Sequence, residues 1–498
     1  MVGSVSECSD QMRDLEFQSV SRSVIGNDGP PTGSTTNPEA SDGQSQQSLV
    51  FPLPLTPLEK FLFHSDTPES PMVIRMIVRL SGTAQLDLLQ DTLRRSICRH
   101  PLLTCRIAEQ NGQLVWIQGA AELIKVCHAA GSVFEPECGA LSTTIDLRKS
   151  AGLHARLMVM DDGIKCIIDA HHAVTDGNGL RQAIITDWLH LYHSEVNGTP
   201  LRLPKLNLDQ LHERHGFHLP ATVAPVSIRD AIRNFLATVR GRTCRWPLAK
   251  RAAAGKSTSF CVEHILTVEQ YQQLHERLSA WKVTLNDLVI VCCMSTFSRL
   301  SPGGSPNHQV TVLNPVDLRR SSDRTLPAAN RFGLAFLRRV RSECHDPAKL
   351  LQGVHSEMQY VLSNHVGAEF IKGLATAVRI PFGLDFFQWL EWFVPSLQWT
   401  CLCDMTRSVR RLITVREGVL IAGGLVLENI TGFAPCARNV PLSVATCEAG
   451  RRLTLTVCSS SRFLNLEETQ AFATTLVSQL CNFALPSEET TAMDSHDA

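Results

Sequence analysis

The 498-residue chain has no charge bias, with 47 Lys and Arg against 48 Asp and Glu and a net charge of −1. That balance, with a pI near 7.0, excludes the bulk attraction to nucleic acid or to acidic partners that a basic protein shows. No run reaches about 18 uninterrupted apolar residues, so no membrane-spanning helix is expected. No charged-then-apolar leader opens the sequence either. The 17 cysteines include no C-x-x-C pair and lie in apolar segments such as VIVCCMSTF and TLTVCSSSRF. An odd count with no zinc spacing and no secretory signal reads as reduced, buried thiols in a cytoplasmic protein. The lack of G-x-S-x-G removes the serine-hydrolase elbow.

What is present divides the chain into five stretches. Residues 1–48 hold ten serines together with Gly, Asn, Gln and Pro, a composition that cannot offset chain entropy by burial, and are expected to be a disordered leader. From 49 to 225 the pattern is α/β. Thr56-Pro57-Leu58-Glu59 has the form of an N-cap with Pro in the first helical position. Ile74, Met76, Val78 and Leu80 alternate with a second set as in a half-buried strand, and Leu86, Leu89, Leu93 and Ile97 recur at helical spacing. A crossover near 226–257 carries eight Lys or Arg between Arg229 and Lys256 against one acid, Asp230. It reads as a solvated linker or as a site for the phosphates of a coenzyme, a carrier protein or anionic lipid. A second α/β set fills 258–485, and 486–498 form a tail.

The stretch IIDAHHAVTDGNG, residues 167–179, ends an apolar strand with two histidines and a flexible turn. The strand follows the hairpin signal DDG at Asp161–Gly163, and Leu180, Ile184, Trp188 and Leu191 mark a helix after the turn. Neighbouring side chains on a strand point to opposite faces, so His171 and His172 are not expected to serve one pocket. His172, in phase with Ile168 and Ala170, is the candidate base, since a neutral imidazole accepts a proton from a hydroxyl, amine or thiol. Asp176 either caps the following helix or pairs with a distant cation, and Gly177 and Gly179 allow close backbone approach. The alternative is that these groups only satisfy one another in a buried turn. A metal site is disfavoured because the histidines diverge and nothing nearby supplies a third ligand.

HHAVTDG resembles the HHxxxDG signature of the condensation-domain superfamily, whose relatives include chloramphenicol acetyltransferase, alcohol O-acetyltransferases, polyketide-associated acyltransferases and wax ester synthase/diacylglycerol acyltransferases. PLTPLEKFLF, RHPLLTCRI, TLNDLVIV, and NPVDLRR followed by NRFG, resemble further segments of that family and fall in family order across roughly residues 50–485. The resemblance implies an α/β sandwich of two chloramphenicol-acetyltransferase-like subdomains, arranged as a V with a tunnel between them. It implies His172 as catalytic base, His171 as its structural neighbour, Asp176 as the turn-stabilising carboxylate and Gly177 on the thioester path. It also implies an arginine partner for Asp176, matched by Arg319 with Arg320 as fallback.

The implied activity is transfer of an acyl group to an alcohol or amine. The donor would be acyl-CoA or a phosphopantetheine-linked thioester, with no bound cofactor and a carrier protein as partner in the second case. The opening helix and Asn286-Asp287 resemble the ester-forming branch and favour an alcohol. A silent module binding a hydrophobic ligand or carrier, and a stand-alone peptide-forming condensation enzyme, are the alternatives. NITGFAPCARNVPLS matches the family only loosely, and no carrier or adenylation domain is legible. The aromatic run Pro381–Trp399 fills a core, lines a long acyl tunnel or meets a membrane surface as a peripheral contact.

Overall fold

The first helix starts on a reciprocal cap. Thr56 Oγ1 accepts from the Glu59 N–H at 3.2 Å, and Glu59 Oε2 accepts from the Thr56 N–H at 2.8 Å. The computed structural model describes residues 50–119, 123–128, 143–216, 242–249, 259–302, 304–391, 395–416 and 418–483. The expected leader, most of the basic crossover and the tail lie outside them.

In chain order the first half comprises β1 (Leu53–Pro54), α1 (Pro57–Ser65), β2 (Val73–Ser81), α2 (Leu86–Cys98), β3 (Cys105–Gln110), β4 (Gln113–Gln118), β5 (Ile124–His128), β6 (Leu153–Val159) and β7 (Gly163–His171). After β7 come α3 (Gly177–Leu180), a π-helical stretch (Arg181–Trp188) and α4 (Leu189–Asn197). The second half opens with β8 (Ser259–Ile265), α5 (Val268–Trp281), α6 (Leu285–Leu300), β9 (Gln309–Asp317), β10 (Phe332–Val340), α7 (Pro347–Ser363), α8 (Val366–Ala377) and α9 (Gly383–Glu391). It closes with β11 (Leu397–Asp404), β12 (Thr414–Arg416), β13 (Val419–Ala422), β14 (Leu425–Phe433), β15 (Leu442–Ala449), β16 (Arg452–Ser460) and α10 (Leu466–Asn482). The expected strand, helix and hairpin positions around β2, α2 and the β6–β7 turn agree with these spans.

Two lobes form around two sheets. One has seven strands in the order β12-β13-β14-β2-β7-β6-β5, the other six in the order β10-β9-β11-β15-β16-β8. The division is not simply first half and second half. Strands β12 to β14 leave the second half and extend the first sheet, with β14 antiparallel to β2 and Ile430 opposite Val78. β2 and β7 bury apolar side chains on both faces. One face, with Ile74, Met76, Val78 and Leu80, enters the large first core. The other, with Ile77 and Ile167, meets Cys261, Phe433 and Cys458.

Charge fixes the register and the junction. Arg75 and Asp169 stand opposite each other on β2 and β7 and form a bidentate pair at 2.6 and 3.1 Å. Arg79 reaches from β2 to Glu263 on β8 at 3.3 and 3.2 Å and also donates to Asn429 and Thr431. It therefore binds three elements from both sheets through one guanidinium. Glu263→Ala is expected to lower the unfolding free energy by roughly 3 kcal/mol, because the guanidinium stays in place without its anion. Glu263→Gln, which keeps an acceptor, should cost less. Urea unfolding of both variants checks this, and equal losses would show that a neutral acceptor does not substitute for the lost charge.

Candidate functional site

The two histidines diverge as their spacing on the strand predicts. His171 is fully buried. Its Nδ1 accepts from the Ala173 N–H at 3.0 Å, which leaves Nε2 turned to Asp66 Oδ2 at 3.6 Å, and its ring therefore holds the turn. His172 donates its backbone N–H to the Met72 carbonyl at 2.7 Å, and its side chain enters a cavity between the lobes. Its ring lies 5.2 Å from that of Phe332, centroid to centroid. Asn330 Nδ2 donates to the carbonyls of both His172 and Ala173, at 2.8 and 2.9 Å. A residue from the other half thus clamps the backbone that carries the imidazole.

Asp176 both caps a helix and pairs with a distant cation. It is the N-cap of α3, with Oδ1 accepting from the Gly179 N–H at 2.8 Å. Arg319 closes a fork on the same carboxylate at 2.7 and 3.0 Å, and the Arg331 N–H donates to Oδ2 at 2.8 Å. Burial on its own would raise the Asp176 pKa, but the Arg319 charge and these hydrogen bonds outweigh it and hold the carboxyl below its ordinary range. For Arg319 the signs reverse: burial disfavours the guanidinium, and Asp176 holds it charged. Arg319 also donates to the Ala329 carbonyl at 2.8 Å. Arg320 takes no part, and its backbone N–H goes to Asp323.

The cavity has a volume of about 170 Å³ and is lined mainly by apolar side chains of α1, β2, β10, α8 and β11. Its charged groups are already paired: Asp176 with Arg319, and Asp317 with Arg319 and with Asn178 at 2.9 Å. Gln398 is committed to the Pro435 carbonyl and Ser443. Burial, the largest influence, pushes the His172 imidazole below the ordinary histidine pKa. Its own carbonyl, Asp176 and the Thr175 carbonyl oppose that shift, and the neutral ring still prevails. Gly177 lines the cavity, and a Cβ there would overlap Leu402 Cδ2. Thr400, two residues before Leu402 on the same face of β11, also lines the cavity. Its hydroxyl makes no hydrogen bond to the described residues.

Several residues at the site were not legible beforehand. NRFG carries Asn330, Arg331 and Phe332, which hold the turn, the carboxylate and the imidazole ring, yet nothing in its composition marks those roles. Asn286 and Asp287, read as hints of an alcohol acceptor, do not line the cavity. Asn286 accepts from Trp399 Nε1 at 2.9 Å, and Asp287 forms the capping box of α6 with Thr284. The aromatic run divides. Trp399 is buried in the second core, and Phe387 stacks edge-on with Phe370, which in turn meets Phe61 at the cavity wall. Phe382 is 82% and Trp389 50% exposed. No single described helix is long and apolar enough to cross a membrane.

No family model and no curated protein matches the chain by sequence. Solved structures do match it by shape. The first condensation domain of the calcium-dependent antibiotic synthetase, in complex with a substrate analogue, aligns at TM-score 0.64 and 14% identity over 86% of this chain and 96% of that one. The epimerization domain from the third module of tyrocidine synthetase B aligns at TM-score 0.62 and 15% identity over 86% and 95%. Polyketide synthase associated protein 5 from Mycobacterium tuberculosis aligns at TM-score 0.59 and 18% identity over 86% and 97%. At these identities the likeness is one of fold.

The Asp176 pair generates a stability prediction. Its folded pKa lies below the unfolded value of about 3.9, so its contribution is full above that value and is lost as pH falls through the folded pKa. Asp176→Asn is expected to cost about 3–5 kcal/mol at neutral pH. The deficit should shrink below pH 4. Denaturant midpoints across pH 2–7 check this, and a deficit independent of pH would remove the ion pair as its source.

Proposed function

We propose that the chain, which has the condensation-domain fold, is an acyltransferase that moves an acyl group from a thioester to an alcohol, with His172 as general base. The observation that carries this reading is a largely neutral imidazole, at the end of an HHxxxDG turn, inside a cavity whose carboxylates and arginine are already paired. An acceptor hydroxyl gives its proton to His172 as its oxygen attacks the thioester carbonyl carbon. The tetrahedral adduct then expels the thiolate, which takes that proton back from the imidazolium. General-base help of this kind is worth about 10²–10⁴-fold in rate.

Thr400 is assigned as a hydrogen-bond donor to the carbonyl oxygen, because a donor not engaged in the ground state is available as negative charge develops. Gly177 lets Leu402 pack against the turn, where a side chain would push it into the cavity a thioester needs. The acceptor is assigned as neutral because no unpaired carboxylate lines the cavity to hold an ammonium, and this favours an alcohol over an amine or an aminoacyl group. The neighbours support thioester chemistry by analogy of fold: the starter condensation domain of rhizomide synthetase was crystallised with C8-CoA and Leu-SNAC. The exposed Phe382, Phe386 and Trp389 favour a peripheral contact with lipid as a separate part of the proposal.

His172→Ala is expected to fold and to lose transfer by at least about 100-fold, measured by mass spectrometry with short and long acyl-CoAs and pooled alcohols and amines. Retained full activity would sink the role. Thr400→Val should lower kcat with little change in KM, and Thr400→Ser should restore it. In the wild type, kcat/KM should fall on the acid side only below the ordinary histidine pKa of about 6.5, since the neutral base persists to lower pH. An acid limb above that value would contradict the assignment. Saturable ligand binding without turnover from any thioester would favour the silent module. For the lipid contact, co-sedimentation with anionic vesicles at low salt is expected, and its absence would overturn it.

A further inference from the structure

One carboxylate outside the histidine turn reaches toward both of its histidines. Nδ1 of His171 accepts from the Ala173 N–H at 3.0 Å, so the ring is neutral and its single proton sits on Nε2. That N–H is buried and makes no hydrogen bond to the described residues. It faces Asp66 Oδ2 at 3.6 Å, beyond hydrogen-bond length but close enough for the carboxylate charge to orient the ring where water is excluded. The other oxygen, Asp66 Oδ1, accepts from the Met72 N–H at 2.7 Å. The Met72 carbonyl in turn accepts from the His172 N–H at 2.7 Å, and Met72 lines the reaction cavity.

Asp66 is itself fixed from several sides. It is the C-cap of α1, with its N–H donating to the Phe63 carbonyl at 3.4 Å. Just beyond it, Thr67 and Ser70 exchange backbone hydrogen bonds at 3.4 and 3.0 Å. Ser70 Oγ donates to the carbonyl of Cys436, whose neighbours Pro435 and Ala437 line the cavity. Gln388 on α9 donates to the His64 carbonyl and to Ser65 Oγ at 3.1 and 3.2 Å. The end of α1 is thus pinned by both halves of the chain. The one ion-pair contact of Asp66 among the described residues is with His171.

We propose that Asp66 is a positioning residue for His172. Its charge holds the His171 ring in the orientation that binds Ala173, and through Met72 it sets the strand end from which His172 enters the cavity. The inference rests on the acyl-transfer reading and adds to it a group that acts on the base through other residues. Without the anion, Nε2–H of His171 faces no acceptor, and the ring finds one only by turning away from the Ala173 N–H. Ala173 adjoins His172, so the imidazole shifts against its substrate.

A role confined to ending the helix predicts something else for Asp66→Asn. The amide keeps the size of the side chain and an oxygen for the Met72 N–H, so the helix end is preserved. Its NH₂ then faces the Nε2–H of His171, donor against donor. Asp66→Asn is therefore expected to lower kcat by about 10- to 100-fold with KM changed by less than about twofold. Asp66→Glu, which keeps the charge, should recover most of that loss. Both are assayed in the full-length protein with the acyl-CoAs and alcohols used for His172→Ala.

A second readout needs no turnover. In ¹⁵N-histidine-labelled protein, the ring whose signal disappears in His171→Gln should be protonated on Nε2 in the wild type, with Nδ1 as acceptor. Asp66→Asn should change that state. Wild-type kcat and an unchanged His171 ring in Asp66→Asn overturn the assignment, and so does an equal loss of kcat in the Asn and Glu variants. A wild type that turns over no thioester overturns the acyl-transfer reading. The ring signal then decides Asp66 separately, since a change in Asp66→Asn supports its hold on His171 and no change removes it.

Discussion

The carboxylate of Asp176 is the constraint on which the site depends. It is buried, and a buried carboxylate persists as an anion only where its lone pairs are filled. The Gly179 and Arg331 N–H groups and the fork of Arg319 fill them. Two of those three residues come from the connection between β9 and β10, on the opposite lobe from the histidine strand. Ionisation of one side chain is thereby tied to contact between lobes, and the cavity lies where they meet. Asn330, next to Arg331, uses the same approach to hold the carbonyls of the turn.

That contact needs sheets that do not part. The return of β12 to β14 to the first sheet makes each lobe depend on chain from the second half, and Arg79 joins β2 to β8 at the level of the small cluster around Ile77 and Phe433. An apolar junction alone would tolerate sliding, because dispersion contacts have little directionality. The forked Arg79–Glu263 pair has a preferred geometry, so it sets position where the apolar cluster supplies cohesion.

Within the cavity, pairing leaves few groups for chemistry. The arginine and both aspartates satisfy one another, Gln398 is committed to Pro435 and Ser443, and His172 and Thr400 remain as polar groups suited to react with or orient a substrate. The surroundings that depress the imidazole pKa also strengthen any hydrogen bond made there, because the local dielectric is low. An imidazole and a hydroxyl on opposing lobes suit a reaction in which a proton leaves one oxygen as charge gathers on another.

Local order was legible in the sequence because it depends on neighbours along the chain. The capping box at Thr56, the DDG hairpin, the helix after the turn and the divergence of His171 and His172 all follow from alternation, 3.6-residue spacing and short-range hydrogen bonds. The family pattern also pointed to Arg319 as the partner of Asp176. Asn286 and Asp287 lie away from the cavity for the same local reason, since they serve the start of their own helix and the indole of Trp399. Asn330, Phe332, Leu402 and Thr400 reach the turn from 158 to 230 positions away, and no periodicity encodes a contact at that range. The sequence by itself determined the two-lobed α/β plan and the residue that can act as a base. Only the tertiary structure decided which groups share the cavity with that base, because pairing, burial and the remaining hydrogen-bond capacity are properties of side chains brought together from both lobes.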